Sequence, residues 1–590
     1  MVDGIWDLSS LYKSNEDFLK DLDKAKQLVF QLEKFRGELS KSDPQIILDY
    51  LNKDNELSLI LEKLAVFSFC KQDEDGKNQQ SVKNYNMIND FFSVANEKLA
   101  FAKTELSSID EDMLNQLKKD PHFSDYDRML NDIIRYKRHT LSEKDEQNMA
   151  AISSFSNTDD IFSMLSNVEM EHGSFTDENG KRIKLSPGNY NLCMNNPNQD
   201  IRKKVMENYV GEYKKLNGTF ANLFLSHIKY QNFLAKSYGF NSVLEKKCYA
   251  EEVPESVMMT CIRNVSVKVD LLHKYFKLKK KIMGLKEFYV SDIGVEILNQ
   301  EKVLISYEDA ISGIGESLKV FGNDYTDVFN EAVNNGWIDA FPRKGKKSGG
   351  YTTGTYKEHP YILLNFDGTF EWASALTHEF GHAMHSYYSA KSQPYAKYDY
   401  TLFVAEIVSL TNEIIYNKYL LSKTNDNKTR MKLLAYFLQL FELNVFDSAM
   451  LAEFELYVHD SLWNGETLSS EDLNKKYVSL AAKYFGTDVK FNKNFETGWS
   501  RKSHLYRDYY LYKYAMGLSC ACFVANRLLT DNTGEYLKKY KKFLSLGGSL
   551  DPISALKVAE IDVLDDNIYD YAFNMFEEYL SLLEKYTEDK

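Results

Sequence analysis

Apolar residues recur every three or four positions along most of the first 280 residues, which is the period of an amphipathic α-helix. The pattern predicts one helix over residues 17–39 and a second over residues 44–70, interrupted around Asp54. A turn-forming Asp-Glu-Asn-Gly between β-prone flanks predicts a hairpin over residues 175–185. The N-terminal half is therefore expected to be helical, with one short β excursion.

The pattern changes near Trp337. Residues 337–360 contain two prolines and the Gly349-Gly350 pair, and they are expected to form a loop. Residues 361–366, Tyr-Ile-Leu-Leu-Asn-Phe, are a β-prone run between Pro and Asp-Gly, so they predict a strand. A long helix should begin at about Glu371, and helices should dominate from there onwards. A strand that leads into a helix beneath a glycine-rich loop is a common place for chemistry.

Composition narrows the class of protein. A length of 590 residues exceeds what one core usually spans, so two or more lobes packed as one body are expected. Only 9 prolines and 28 glycines favour long helices. The 72 basic and 86 acidic residues give a net charge of −14, which argues against a nucleic-acid partner. Six scattered cysteines do not form a disulfide framework and are expected to be inert thiols.

The chain shows no sign of membrane targeting. Its N-terminus carries acids where a signal peptide needs positive charge followed by an apolar run, and no 18 apolar residues occur together. We therefore expect a cytoplasmic protein with no membrane partner.

The long helix contains His378-Glu379-Phe380-Gly381-His382. Side chains at i and i+4 share a helix face, so both imidazoles can bind one zinc ion. Glu379 then lies beside the ion, where its carboxylate can take a proton from water. The apolar neighbours of the motif argue against a solvated polar turn.

A third zinc ligand must come from elsewhere in the chain. The pattern with a third histidine six residues on would place glycine at position 385 and histidine at position 388, where this chain has His385 and Tyr388. Glu406 lies 24 residues after His382 in a helical segment, a span that suits an antiparallel return, and we predict it as the third ligand. Glu413 lies two turns further on and either orients a ligand histidine or is an ordinary helix charge. His385 is either a spare ligand or a packed histidine.

Several further motifs accompany the histidine pair in a fixed order along nearly the whole chain. They are WDLSSLY from Trp6, GWIDAFPRKGKKSGGY ending at Tyr351, YILLNF followed by THEFGHAMH, FVAEIVSLTNE ending at Glu413, and HLYRDYYLYKYAMGLS from His504. In this combination the chain resembles the thimet-oligopeptidase-like metallopeptidases, in particular the bacterial oligoendopeptidase F branch. One departure is Ala-Glu-Ile-Val-Ser-Leu in place of the family's more frequent Glu-x-Pro-Ser, which leaves Glu406 in position.

The resemblance implies a predominantly α fold: a two-lobed helical ellipsoid with a gluzincin-type catalytic lobe, a small β-sheet beside the zinc helix and an internal substrate channel. Residues 1–195 would form the N-terminal lobe that covers the channel, and residues 196–590 the catalytic domain. The implied cofactor is one Zn²⁺ per chain. The implied activity is hydrolysis of internal bonds of short peptides, with little action on folded proteins.

The resemblance also implies that a histidine followed by helix-borne tyrosines donates hydrogen bonds to the oxyanion and to substrate carbonyl groups. Carried over to this chain, these residues are His504, Tyr509 and Tyr512. Because the spacing after His504 is shorter than in the mammalian-type relatives, Tyr506 or Tyr510 could hold the role instead.

The strand over residues 361–366 offers a way to bind peptides of varied sequence. We predict that it is an exposed edge strand onto which the substrate backbone docks; the alternative is a buried core strand. The predicted substrate-binding residues are Gly349, Gly350, Tyr351, Leu363, Leu364 and Asn365.

Two other functions compete with the endopeptidase. A zinc carboxypeptidase would need a fixed cation for the substrate's terminal carboxylate, and Arg501 and Arg507 are the candidates. A non-catalytic helical scaffold would need four protein ligands around its zinc, and no fourth candidate beyond His385 is evident.

Overall fold

The protein is described by a computed structural model that covers residues 4–153, 157–298 and 304–588. Helices dominate it, as the sequence predicts. Among the described residues, the α-helices are α1 (Asn15–Leu32), α2 (Pro44–Glu74), α3 (Gln79–Leu99), α4 (Phe101–Ser108), α5 (Glu111–Lys119), α6 (Asp127–Tyr136), α7 (Glu143–Ser153), α8 (Thr158–Met164), α9 (Pro187–Met194), α10 (Gln199–Lys215), α11 (Asn217–Ser237), α12 (Val243–Glu251), α13 (Ser256–Ser266), α14 (Val269–Ile282), α15 (Val290–Ile293), α16 (Tyr307–Ser317), α17 (Asn323–Asn334), α18 (Phe370–Ser392), α19 (Leu402–Lys423), α20 (Asn427–Phe441), α21 (Ser448–Trp463), α22 (Ser470–Phe485), α23 (Tyr512–Thr530), α24 (Glu535–Leu544), α25 (Pro552–Val558) and α26 (Asp566–Glu588).

The strands of the described residues are short and form three small sheets. They are β1 (Ser174–Thr176), β2 (Arg182–Lys184), β3 (Phe288–Tyr289), β4 (Ile338–Asp339), β5 (Tyr351–Thr353), β6 (Tyr361–Leu363) and β7 (Val489–Lys490). Strands β1 and β2 pair antiparallel, which confirms the predicted hairpin. In the largest sheet the order is β4-β6-β5, with β4 parallel and β5 antiparallel to β6.

The first two helices show how local sequence sets helix ends. Helix α1 stops at Leu32, earlier than predicted, and the following residues form two short 3₁₀ turns around Gly37, whose φ is +83°. Helix α2 begins at Pro44, and the Asp43 side chain accepts hydrogen bonds from the first exposed N–H groups. It continues through Asp54 without a break, so the predicted interruption is wrong. One aspartate costs a helix well under about 1 kcal/mol, and the buried face of this helix outweighs that cost.

The described chain divides into two compact units that alternate along the sequence. Unit 1 comprises Met1–Glu143, Leu304–Tyr419 and Arg527–Glu560, and unit 2 comprises Lys144–Val303, Leu420–Asn526 and Ile561–Lys590. The division by function into a covering lobe of residues 1–195 and a catalytic domain of residues 196–590 stays a prediction.

In unit 1, the N-terminal helices and the three-stranded sheet share one hydrophobic core. It extends from Trp6 and Phe18 through the buried faces of α1 to α6 and includes Tyr361 and Leu363 of β6. The ring of Tyr361 meets the Trp6 indole edge to face, with 6.3 Å between ring centroids. The sheet beside α18 is thus fixed from behind by the first residues of the chain.

Within the described residues the cysteines form no disulfide bond, and all except Cys193 are buried, as expected of inert thiols. Burial raises the pKa of Cys248 and of Cys261 to about 12, so both stay protonated near neutral pH. Within the described residues, no helix is long and apolar enough to cross a membrane.

Candidate metal centre and catalytic residues

Helix α18 carries the two histidines and the glutamate on adjoining faces. His378 and His382 are one turn apart, and their ring centroids lie 5.0 Å from each other at 79°. Both side chains keep about a fifth of their surface exposed, at 23% and 19%. The pair is therefore close enough to share an ion and is still open to solvent on one side.

A glycine in the motif lets the second helix approach. A Cβ on Gly381 would lie 2.6 Å from the Cα of Ser409, so any side chain there would push α19 away. With glycine present, Glu406 of α19 places its Oε2 3.4 Å from Nε2 of His378 and 3.7 Å from Nε2 of His382. The Ser409 hydroxyl lies 3.1 Å from the same carboxylate oxygen and holds it in place.

The three side chains offer a donor set that fits a catalytic zinc. One ligand atom each from His378, His382 and Glu406 lies within 4.8 Å of the others, and no second group of this kind occurs among the described residues. Two imidazole nitrogens and one carboxylate oxygen, with a fourth side open, are the usual ligands of zinc in metallopeptidases. The predicted ligands are thus brought together.

The electrostatics of this cluster separate its two histidines. Burial lowers the pKa of His378, but hydrogen bonds to Glu406 and Glu413 outweigh burial and raise that pKa to about 10. Burial and the charge of His378 lower the pKa of His382 to about 4. Burial raises the pKa of Glu406, but the bond to His378 and the nearby imidazoles outweigh it and lower that pKa to about 2. The carboxylate therefore keeps its charge beside a positively charged neighbour.

Glu413 contacts the far side of the first histidine. Its Oε2 lies 3.3 Å from Nδ1 of His378, and its Oε1 accepts a 3.0 Å hydrogen bond from the hydroxyl of Ser374. An imidazole whose Nδ1 is paired in this way directs Nε2 towards the ion. The predicted contact with a ligand histidine is present, and the orienting role is a proposal.

Glu379 is held by a residue that sequence reasoning missed. The hydroxyl of Thr352, in β5, lies 2.9 Å from Oε2 of Glu379 and 2.7 Å from its backbone oxygen. Burial raises the pKa of Glu379, which makes this carboxylate a better proton acceptor than an exposed one. Thr352 stands next to Tyr351 at the end of the glycine-rich loop, but nothing in its sequence spacing points to Glu379.

His385 is a packed histidine, one of the two alternatives that its sequence position left open. Its ring is 1% exposed and stacks on Tyr400 with centroids 3.5 Å apart, and Phe543 lies on another side. Burial lowers its pKa to about 3, so it is neutral.

The prediction of an exposed edge strand over residues 361–366 is wrong. Strand β6 is the central strand of its sheet, with a partner on each side, and Leu363 and Leu364 are fully buried. Neither leucine can bind substrate directly, because both fill the core. Among the described strands of this sheet, β5 lies at the edge; its Thr352 contacts Glu379, and its residues are half-buried.

Gly349, Gly350 and Asn365, which were predicted to bind substrate, shape the loop before β5. Gly349 has φ +87°, and a Cβ on Gly350 would meet a methyl group of Leu364 at 3.1 Å. The Asn365 side chain donates hydrogen bonds to the backbone oxygens of Lys347 and Gly349 and so shapes the loop.

Tyr351 turns its side chain into the core of unit 1. Its hydroxyl donates a 2.9 Å hydrogen bond to Asp73 of α2, and its ring packs against Phe69. The Tyr351 side chain therefore lies in the core and cannot contact substrate, so the predicted role of this residue in substrate binding could only use its backbone in β5.

In unit 2, the tyrosine-rich segment is not one helix. A 3₁₀ turn (Ser503–Tyr506) is followed by a turn in which Tyr509 has φ +58°, and α23 begins only at Tyr512. Tyr509 and Tyr512 are 3% and 1% exposed. The prediction that Tyr509 and Tyr512 donate hydrogen bonds to the substrate is wrong, because the side chains of both residues face the interior.

The half-exposed side chains of this segment form a separate cluster of His504, Tyr510 and Tyr514. The ring centroids of Tyr510 and Tyr514 lie 6.3 and 6.0 Å from that of His504. The Tyr514 hydroxyl is 3.5 Å from Nε2 of His504. Burial, together with Arg507 and Lys502, lowers the pKa of His504, so the ring is neutral near pH 7. We call these three residues the donor cluster.

Arg501 and Arg507, the candidates for binding a substrate carboxylate in a carboxypeptidase, lie near aromatic rings. The guanidinium of Arg501 lies over Tyr190 at 4.9 Å from the ring centroid, and that of Arg507 lies 6.0 Å from the ring of Tyr510. Arg507 is exposed, whereas Arg501 is packed among tyrosines.

Comparison with known proteins gives a consistent family. The family model for peptidase family M3 matches residues 192–575, and the model for oligopeptidase F matches residues 105–172. Oligopeptidase PepF of Bacillus subtilis is 31% identical over 99% of this chain and 87% of its own length. An oligoendopeptidase F homologue of Lactococcus lactis is 30% identical over 99% of this chain and 97% of its own.

Solved structures agree with the family models. A protein from Chlamydophila abortus superposes with a TM-score of 0.92 at 28% identity, covering 99% of this chain and 98% of its own. Oligoendopeptidase-F from Enterococcus faecium superposes with a TM-score of 0.76 at 26% identity, covering 98% of this chain and all of its own. The chain belongs to peptidase family M3, and it is a metalloendopeptidase of the oligoendopeptidase F type.

Proposed function

We propose that the chain is a zinc-dependent endopeptidase that cuts internal bonds of short oligopeptides and acts little on folded proteins. The observation that supports this most strongly is the cluster of two imidazoles and one carboxylate with Glu379 beside it on the same helix. His378, His382 and Glu406 would hold one ion per chain. When bound, zinc makes water acidic and polarises a carbonyl group as a Lewis acid.

Glu379 performs the proton transfers in this proposal. Its carboxylate takes a proton from the attacking water and delivers it to the departing amine. The Thr352 hydroxyl lies 2.9 Å from Oε2, and in this proposal the other oxygen, Oε1, accepts the proton. Glu413 and Ser374 keep the His378 ring in one orientation through the cycle.

Two further features support peptides as substrates. Strand β5 lies at the edge of its sheet next to Glu379, where an extended chain could pair with its backbone without regard to the side chains of that chain. The donor cluster supplies one neutral imidazole and two phenols, groups that can donate hydrogen bonds to carbonyl oxygens and to an oxyanion. Its role in catalysis is a proposal, as is the absence of a nucleic-acid partner.

The test uses internally quenched peptides of graded length with both ends blocked. Product masses should show internal cuts, a chelator should abolish cleavage, and added zinc should restore it, while a folded protein of similar composition stays intact. Cleavage that persists in the chelator would exclude the zinc mechanism. Cleavage of the same peptides only when they are made with a free C-terminus would favour a carboxypeptidase.

A further inference from the structure

A buried carboxylate lies in the turn between His504 and α23. The side chain of Asp508 is 2% exposed. Its Oδ1 accepts a 2.9 Å hydrogen bond from Nε2 of His227 in α11, and its Oδ2 lies 2.9 Å from the ammonium of Lys247 in α12. His459 of α21 approaches Oδ1 at 3.7 Å. Three helices of unit 2 therefore converge on one side chain of this turn.

The next residue is anchored independently. Tyr509 adopts φ +58°, a conformation that a tyrosine rarely takes. Its backbone N–H donates a 2.6 Å hydrogen bond to the buried carboxylate of Glu455 in α21, and its ring packs on His459 at 4.7 Å. An unfavourable backbone conformation persists only where its surroundings impose it.

These contacts fix the direction in which the chain leaves the turn. Tyr510 follows Tyr509 directly, His504 lies four residues before Asp508, and Tyr514 lies on the first turn of α23. We propose that Asp508 is a positioning residue: held by His227 and Lys247, it sets the geometry of the donor cluster for peptide hydrolysis. This inference rests on the proposed role of the donor cluster.

The chemistry of the anchor supports this assignment. Burying a carboxylate is costly unless charged and hydrogen-bonded partners surround it, whereas the aspartate of an ordinary surface turn stays in water and avoids that cost. Burial raises the pKa of Asp508, but the bond to His227 and the charge of Lys247 outweigh it and hold the pKa well below its usual range. Nδ1 of His227 is paired with the hydroxyl of Thr158 at 3.0 Å, which fixes the ring that meets Asp508.

The test compares two isosteric changes in unit 2. Asp508→Asn removes the charge of the anchor, and Asp292→Asn removes that of another fully buried carboxylate, which pairs with Arg202 at 2.7 Å. Both variants lose a buried ion pair, so both should be less stable. Only Asp508→Asn should lower kcat, between about tenfold and 10²-fold, with KM and metal content nearly unchanged.

A double-mutant cycle separates positioning from general stability. If Asp508 acts through the donor cluster, Tyr510→Phe should lower kcat much less in the Asp508→Asn background than in the natural chain. Additive effects, or equal kcat losses in Asp508→Asn and Asp292→Asn, would overturn the inference. If Asp508→Asn does not fold, His227→Gln and Lys247→Gln take its place, and each is combined with Tyr510→Phe in the same cycle. Should the natural chain fail to cut end-blocked peptides, the proposed function itself fails, whereas a failed cycle in an active enzyme refutes only the role of Asp508.

Discussion

The metal cluster of unit 1 and the donor cluster of unit 2 are held in different ways. His378, His382 and Glu406 project from two regular helices, α18 and α19, whose close approach depends on one glycine. The donor cluster projects from a turn whose shape depends on Tyr509 at φ +58° and on carboxylates anchored to other helices. The first geometry follows from local spacing, and the second depends on contacts that are remote in sequence.

Removal of the third ligand should have the largest effect. Glu406→Ala leaves two imidazoles, which hold zinc weakly, so metal content and cleavage should both be lost. Metal analysis of the purified variant measures this directly. Glu413→Gln is the matched control, because it keeps all three ligands and should weaken metal binding only about 10–100-fold. One zinc retained per chain in Glu406→Ala would place the third ligand elsewhere.

Removal of the proton acceptor should separate chemistry from metal binding. Glu379→Gln cannot take a proton, so kcat should fall about 10³-fold or more while zinc stays bound. Glu371→Gln, at the exposed first turn of the same helix, serves as the control and should behave like the natural chain. A Glu379→Gln variant with half the natural kcat would remove this residue from the mechanism.

The register of the donor cluster can be tested with two single hydroxyl deletions. Tyr510→Phe should lower kcat about 10²-fold with little change in KM, because an oxyanion donor acts mainly in the transition state. Tyr512→Phe should keep kcat within about twofold, since its side chain is buried in the interior. Steady-state kinetics of both variants measure the two values of kcat. A larger loss of kcat in Tyr512→Phe than in Tyr510→Phe would show that Tyr512 is the donor.

The smallest expected effect concerns the carboxylate that anchors the turn. Burial, reinforced by Asp508, raises the pKa of Glu455 to about 8, above an unfolded value of about 4.3. The folded state therefore holds this proton more tightly than the unfolded state does. The contribution of Glu455 to the unfolding free energy falls as the pH rises from about 4.3 to 8. Glu455→Gln keeps an acceptor for the Tyr509 N–H and has no proton to lose. Its melting temperature relative to the natural chain should rise by about 2–4 °C across this window and level off above it; a difference independent of pH would contradict the account.

Those contacts that follow from the helical period could be predicted from the sequence. Helical spacing predicted that His378 and His382 share one face of α18 and that Glu406 and Glu413 share one face of α19, and these side chains do lie close together. The resemblance implied helix-borne tyrosines, but the chain turns at Tyr509 and α23 begins only at Tyr512, so the side chains of both residues face the interior. The β-propensity of residues 361–366 predicted a strand but not its neighbours, since β4 and β5 join it from other parts of the chain. The contact of Thr352 with Glu379 depends on the pairing of β5 with β6, so no local sequence pattern predicts it.

The position of the metal in a crystal would show whether His378, His382 and Glu406 are its ligands. Diffraction data from zinc-loaded crystals, collected above and below the zinc absorption edge, give a map in which only zinc is strong. We expect one peak per chain, within bonding distance of Nε2 of His378, Nε2 of His382 and the carboxylate of Glu406, with Glu379 close by but not bound. A peak ligated by other residues, or a fully loaded crystal with no peak at these three side chains, would contradict this expectation.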